Sequence, residues 1–343
     1  MVFALQPTAI IAMLDFSLPK WLLGKEENDP TMWRILSDME SGRTKRPQRK
    51  TEERVIELMT EKEPVPGLME QLRQIPDGSP WKVFITSFNL GAVASGGTPY
   101  LVLGTESLRL EQLAVAAREA LRQGNFPAAY EQIERWEMTP LPSLQWVMDQ
   151  IDCHGTTERF AATAAPLVIM TTLYLLACWE VDSFDKNGHR LTGMLLPEMR
   201  KGELIRPMTR WLEGVKEKNG IPTMRALSDH LLAPSSKDKS PDNLRREVRK
   251  WYGGGEIPAW SRVPLIVGSL AGVFGHDNKD AIEFKVWAGL CMVRILDGLL
   301  AFSIKIRDLH LPDYDPLAPF RDYPLMFAHA RQVKAALPSQ PDQ

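Results

Sequence analysis

The chain has 343 residues, 44% hydrophobic and 24% charged, which supports a substantial core and excludes disorder as its general state. Lys and Arg number 41 against 43 Asp and Glu, a formal charge of -2, so no global field draws the molecule to DNA or to an anionic membrane. Any site for a polyanion must be a local patch. The three cysteines, Cys153, Cys178 and Cys291, lie far apart; they form neither a disulfide framework nor a zinc spacing and fit a reducing compartment.

Residues 1–62 are predicted to be helical around a basic loop. Met1 to Ile11 is apolar but has no basic stretch before it, and the run ends at Asp15 without a small-residue cleavage site, unlike a signal peptide. Met32, Trp33, Ile35, Leu36 and Met39 recur at helical spacing. A loop from Ser41 to Pro47 follows, and a second helix is predicted from Thr51, an N-cap type. Arg43, Lys45, Arg46, Arg49 and Lys50 carry five positive charges without an acid among them. A basic surface loop and a phosphate contact both account for that run.

Residues 63–140 are predicted to mix helix and strand. After Pro64 and Pro66, a short helix spans Leu68 to Ile75. Trp81 to Thr86 and Tyr100 to Leu103 read as the strands of a small hairpin near 81–103, with Gly91, Gly96 and Gly97 between them. The loop from Ala94 to Thr98 lacks the Walker lysine and the dinucleotide glycine spacing, so it reads as a plain loop. Helices are predicted over Leu108–Arg122 and Pro127–Trp136, turned at Gly124.

Residues 141–202 are predicted to be a helical core. Phe160 to Trp179 carries no charge and is long enough to span a bilayer. Its first half is rich in Ala and Thr and contains Pro166, and Glu180 and Asp182 follow with no Lys/Arg cluster on either side. Leu167 to Trp179 therefore reads as a buried helix rather than a membrane span. Asp182 to Gly188 has the look of a calcium loop, but its twelfth position is Met194 where a bidentate carboxylate is needed, so a turn is predicted.

Residues 203–275 hold the most informative pattern. Trp211, Leu212 and Val215 form one apolar face, ended by Asn219-Gly220. Thr223 caps a helix from Met224 to Leu232; Ser240-Pro241 opens the next, whose Leu244, Val248 and Trp251 share a face. Gly253-Gly254-Gly255 stops it, and Pro258 precedes a fourth helix, Trp260 to Phe274. This helix order, with Trp251-Tyr252-Gly253-Gly254 and a Pro four residues after Gly254, resembles the phage-repressor (Cro-like, XRE-type) helix-turn-helix family. The likeness covers about residues 208–274 and implies that the helix from Ser240 docks in a major groove. The chain differs in a longer Pro/Ser/Lys loop between the two helices, in a longer second helix, and in Tyr252 at a position typically acidic.

From Lys237 to Lys250 there are six basic residues and three acids, a net of +3. Lys237, Lys239, Asn243, Arg245, Arg246, Arg249 and Lys250 are the candidate nucleic-acid contacts here, joined by Arg43, Lys45 and Arg46 of the N-terminal loop. An ordinary solvated helix face is the alternative reading of the same charges. Residues 276–343 are predicted to be a C-terminal helix followed by an extended tail from Leu309, rich in Pro and Asp.

No nucleophile elbow, H-E-x-x-H helix, Walker A or CxxC pair occurs, and the six histidines are scattered. Cys153-His154 are adjacent, a poor geometry for a nucleophile and its base, with no orienting group in sight. Arg225 to His230 fits the Arg-x4-His spacing of helical nucleases resembling the HEPN family, a match expected by chance among so many arginines. The fold class expected is mainly α, multi-lobed, with a small β hairpin and a helix-turn-helix-like module. The function expected is non-enzymatic DNA binding or regulation of a bacterial type, in the cytoplasm, without cofactor or metal. A helical scaffold or effector that binds a protein partner or a second copy of itself is the rival, for which ten Trp and 15 Met supply surface. A helical ribonuclease is a third, weaker alternative, and membrane association is not expected.

Overall fold

Helical periodicity governs the chain wherever its structure is described: in a computed structural model, residues 26–40, 101–136, 141–184, 191–232, 241–274 and 279–337. In chain order the helices are α1 (Pro30–Glu40), α2 (Leu101–Arg122), α3 (Phe126–Glu134), α4 (Pro142–Gln150), α5 (Thr157–Ala164), α6 (Pro166–Phe184) and α7 (Leu191–Leu195). Strands β1 (Glu198–Arg200) and β2 (Glu203–Ile205) follow. Then come α8 (Pro207–Lys218), α9 (Met224–Leu232), α10 (Pro241–Tyr252), α11 (Val263–Phe274), α12 (Lys279–Leu309), α13 (Ala318–Arg321) and α14 (Tyr323–Ala336). Among the described residues the mainly α class with one small antiparallel hairpin holds.

The chain divides into two units, Met1–His189 with Ser303–Gln343, and Arg190–Phe302. In the first, α6 is the central helix. Leu167, Ile169, Met170, Leu173, Tyr174, Ala177, Cys178 and Val181 are all fully buried, against α2, α4, α5, α13 and α14. The charge-free segment noted from the sequence breaks between α5 and α6, which bend by 41°. Among the described residues, only Val286–Leu309 of α12 is by itself long and apolar enough to cross a membrane.

Polar groups buried around α6 are satisfied within α6 itself and from neighbouring helices, as a low-dielectric interior requires. Thr171 and Thr172 donate to the carbonyls of Leu167 and Val168 at 2.8 and 2.7 Å. Tyr323 of α14 donates to Glu180 at 2.7 Å. Asp182 accepts the backbone N–H groups of Val102 (3.3 Å) and Leu103 (3.0 Å), so a carboxylate of α6 caps the start of α2. Asp322 does the same for α4, accepting Ser143 N–H at 2.8 Å.

Glycine stops punctuate both units by one mechanism. Gly124, Gly220 and Gly254 adopt positive φ of 70°, 60° and 68°. In each case the next residue's N–H reaches back five residues, to Ala120, Lys216 and Lys250 respectively. This is the Schellman stop, and it ends α2, α8 and α10 where the sequence placed their ends or turns.

Three local expectations change. Leu101–Leu103, predicted as strand, form the first turn of α2: capped by Asp182, Val102 and Leu103 begin a buried face that continues at Glu106, Ser107 and Leu110. The hairpin lies instead at 198–205, where Lys201 and Gly202 both take positive φ and pair Arg200 with Glu203 through a tight turn. The tail predicted as extended is helical over Ala318–Arg321 and Tyr323–Ala336. Tyr323, Met326, Phe327 and Ala330 recur at helical spacing and are buried, while Pro324 sits in the first turn, where it costs no hydrogen bond. The predicted Thr51 and Leu68–Ile75 helices, the Trp81–Thr86 strand and the 94–98 loop lie outside the described residues.

Candidate nucleic-acid interface

The second unit carries α8, α9, α10 and α11 over the segments where the sequence places helices. Thr223 Oγ1 accepts Ala226 N–H at 3.1 Å and starts α9 as predicted. Helix α9 packs on α10 and α11, and α8 packs on α10. Leu227, Leu231, Val248 and Trp251 are buried with Val263, Ile266, Val267 and Leu270, whereas Leu265 is only half-buried. Trp251 and Val248 thus anchor one side of α10.

Further ties fix α10 at its C-terminal end. Thr209 of α8 donates its hydroxyl to the Tyr252 carbonyl at 2.5 Å. Gly254 is required twice over. It holds a left-handed conformation, and a Cβ there would stand 2.5 Å from Cδ of Arg206. That arginine is held in turn by Asp297 of α12 at 3.1 Å.

The charges of α10 divide into two groups. Glu247 is bound by both forks of Arg262, at 3.2 and 3.0 Å, which removes an acid from the helix surface. Arg245 Nε donates to Asp229 of α9 at 2.7 Å, and Lys250 reaches Glu256 at 2.6 Å. Arg246 and Arg249 are exposed and make no ion pair among the described residues. At about 100° per residue, Arg245, Arg246, Arg249 and Lys250 cover the side of the helix away from Val248 and Trp251.

The remaining sequence candidates are placed only in part. Asn243 lies in the first turns of α10, but its side chain is outside the described residues, as are Lys237, Lys239, Arg43, Lys45 and Arg46. Arg225, exposed on α9 one turn before Asp229, was not singled out as a nucleic-acid contact. Its charge and that of Arg245 both act on the Asp229 carboxyl, Arg245 more strongly, and hold it below the usual carboxylate range. The i, i+4 spacing of Arg225 and Asp229 was legible, but their approach to Arg245 is tertiary.

Among the described residues, Cys153 and His154 gain no catalytic geometry. Burial pushes the Cys153 and Cys178 thiols up, and Cys291 up to about 12, so none is poised as a thiolate. His154 is exposed and its backbone N–H donates to Asp152 at 2.9 Å. A second polar cluster, in the first unit, ties α2 to α6: Arg109 grips Glu106 at 2.6 Å, and Tyr174 donates to the same carboxylate at 2.9 Å. The ring of His329 lies 5.6 Å from that of Tyr174, and burial lowers its pKa. These groups use one another as partners, as buried polar groups must. Among the described residues no group of three or more His, Cys, Asp or Glu is arranged to hold a metal. No family model, curated protein or solved structure matches the chain.

Proposed function

We propose that the protein binds double-helical DNA through α10 of its second unit. The observation that carries this reading is the asymmetry of α10. One side is anchored by Val248 and Trp251, and the other presents Arg246 and Arg249 to solvent while Arg262 neutralises the intervening Glu247. An α-helix with its side chains is about 10–12 Å across and fits a major groove of about 12 Å. Guanidinium groups on such a helix bind phosphates or guanine edges in a fixed fork. The resemblance of the helix order to repressor-type modules supports the same use. With an overall charge of -2, binding rests on this patch and not on a whole-molecule field.

The test is a fluorescence-anisotropy titration of a labelled 20-base-pair duplex at 50 and 200 mM salt. Two to four phosphate contacts release counterions and weaken binding about 10- to 100-fold over that range. Absence of binding to mixed-sequence and genomic duplexes at 50 mM salt overturns the proposal.

A further inference from the structure

Asp229 stands where it intercepts one of the cations on this surface. Its carboxylate accepts Arg245 Nε at 2.7 Å, and both side chains remain partly exposed. Arg225, one turn earlier on α9, acts on the same carboxylate. One guanidinium, from α10, is thus bound directly to this exposed carboxylate, and a second, from the same helix as Asp229, adds its field. A carboxylate in that position offers the guanidinium fork the same charge and acceptor geometry as a phosphate.

From this arrangement we infer that Asp229 is an internal competitor for the DNA backbone: it occupies Arg245 in the free protein and is displaced when that guanidinium binds a phosphate. The inference rests on the reading of α10 as a DNA-contacting helix, and it adds a residue that limits affinity. An exposed pair of this kind contributes little net stability in water, so exchange of one acceptor for another is easily reversed. The cost that persists in the complex is different. A displaced Asp229 leaves a negative charge beside a phosphate, and that repulsion weakens every duplex alike, whatever its sequence.

Asp229→Asn keeps the shape and removes the charge. In the same anisotropy titration, the variant should bind the 20-base-pair duplex about tenfold more tightly at 50 mM salt. Its log K against log salt line should steepen by up to about 0.9, because one negative charge leaves the interface while the phosphate contacts stay the same. In the Arg245→Ala background the same substitution should give a clearly smaller gain, because only the charge repulsion is left to relieve, whereas a purely local effect on α9 would be equal in both backgrounds. Asp229→Ser repeats the test without the amide. A wild type that binds no duplex at 50 mM salt removes the α10 reading and this inference together. A wild type that binds, with an Asp229→Asn variant of equal or lower affinity and unchanged slope, overturns the inference alone.

Discussion

Gly289→Ala tests the packing of the second unit at its tightest point. In a helix interior, alanine in place of glycine ordinarily stabilises by about 0.5–1 kcal/mol. At Gly289 in α12 a Cβ would stand 2.4 Å from Nε1 and 3.0 Å from Cδ1 of Trp211, which is itself 6% exposed. The indole is a rigid plate lying between α8 and α12 and cannot yield the missing distance by a small rotation. Overpacking of that kind costs about 1–3 kcal/mol, so the net expectation after the propensity gain is a loss of about 1–2 kcal/mol. Gly268 in α11 supplies the control, because it is exposed and a Cβ there meets nothing within 4 Å. Gly268→Ala should gain the full propensity term. For a unit the size of Arg190–Phe302, 1 kcal/mol moves Tm by about 4 °C. Urea and thermal unfolding followed by circular dichroism should therefore separate the two variants in opposite directions. Trp211→Phe combined with Gly289→Ala should recover part of the loss. If Gly289→Ala stabilises as much as Gly268→Ala, the α8–α12 contact is wrong.

Other outcomes follow from the first unit. Leu173 is fully buried in α6, so Leu173→Asp, which places a carboxylate without a partner in the core, should cost several kcal/mol and abolish cooperative unfolding, read by near-ultraviolet circular dichroism. Burial pushes Asp182 up to about 6, against the pull of the Leu103 and Val102 amides and Lys334. A carboxyl raised in the folded state binds its proton more tightly there than in the unfolded chain. Its contribution to stability therefore falls as pH rises from about 4 to about 6, and Asp182→Asn should flatten that slope by up to about 3 kcal/mol in urea titrations across this range. Tyr323→Phe removes the donor that reaches the buried Glu180 and should cost about 1–3 kcal/mol by the same assay.

Much of the architecture was legible because helices announce themselves by period and by their ends. Met32, Leu36 and the Trp211–Leu212 face are buried as their spacing implies, and Thr223, Gly220 and Gly254 act at the ends they mark. The misses have physical reasons. Pro316, Pro319 and Pro324 made the region after Leu309 read as extended, but proline in a first turn is compatible with helix, and the Tyr323–Ala330 periodicity was the stronger signal. The hairpin at 198–205 has three-residue strands with no apolar alternation, and its turn uses Lys201 where Asn or Asp is the usual marker. At the candidate site, the basic residues of α10 could be read directly. Which of them are neutralised could not, because Asp229, Glu256 and Arg262 reach α10 only through the tertiary packing of α9 and of the turns around it.

The central claim is that the exposed arginines of α10 contact a DNA backbone, and the salt dependence of duplex binding by Arg246→Ala/Arg249→Ala tests it most directly. Both side chains are exposed and neither holds an ion pair among the described residues, so the double variant should keep the wild-type Tm. If each arginine neutralises one phosphate, the log K against log salt line should become shallower by about 1.8. Affinity at 50 mM salt should fall at least tenfold. A double variant that binds the duplex with wild-type affinity and wild-type slope would contradict the account.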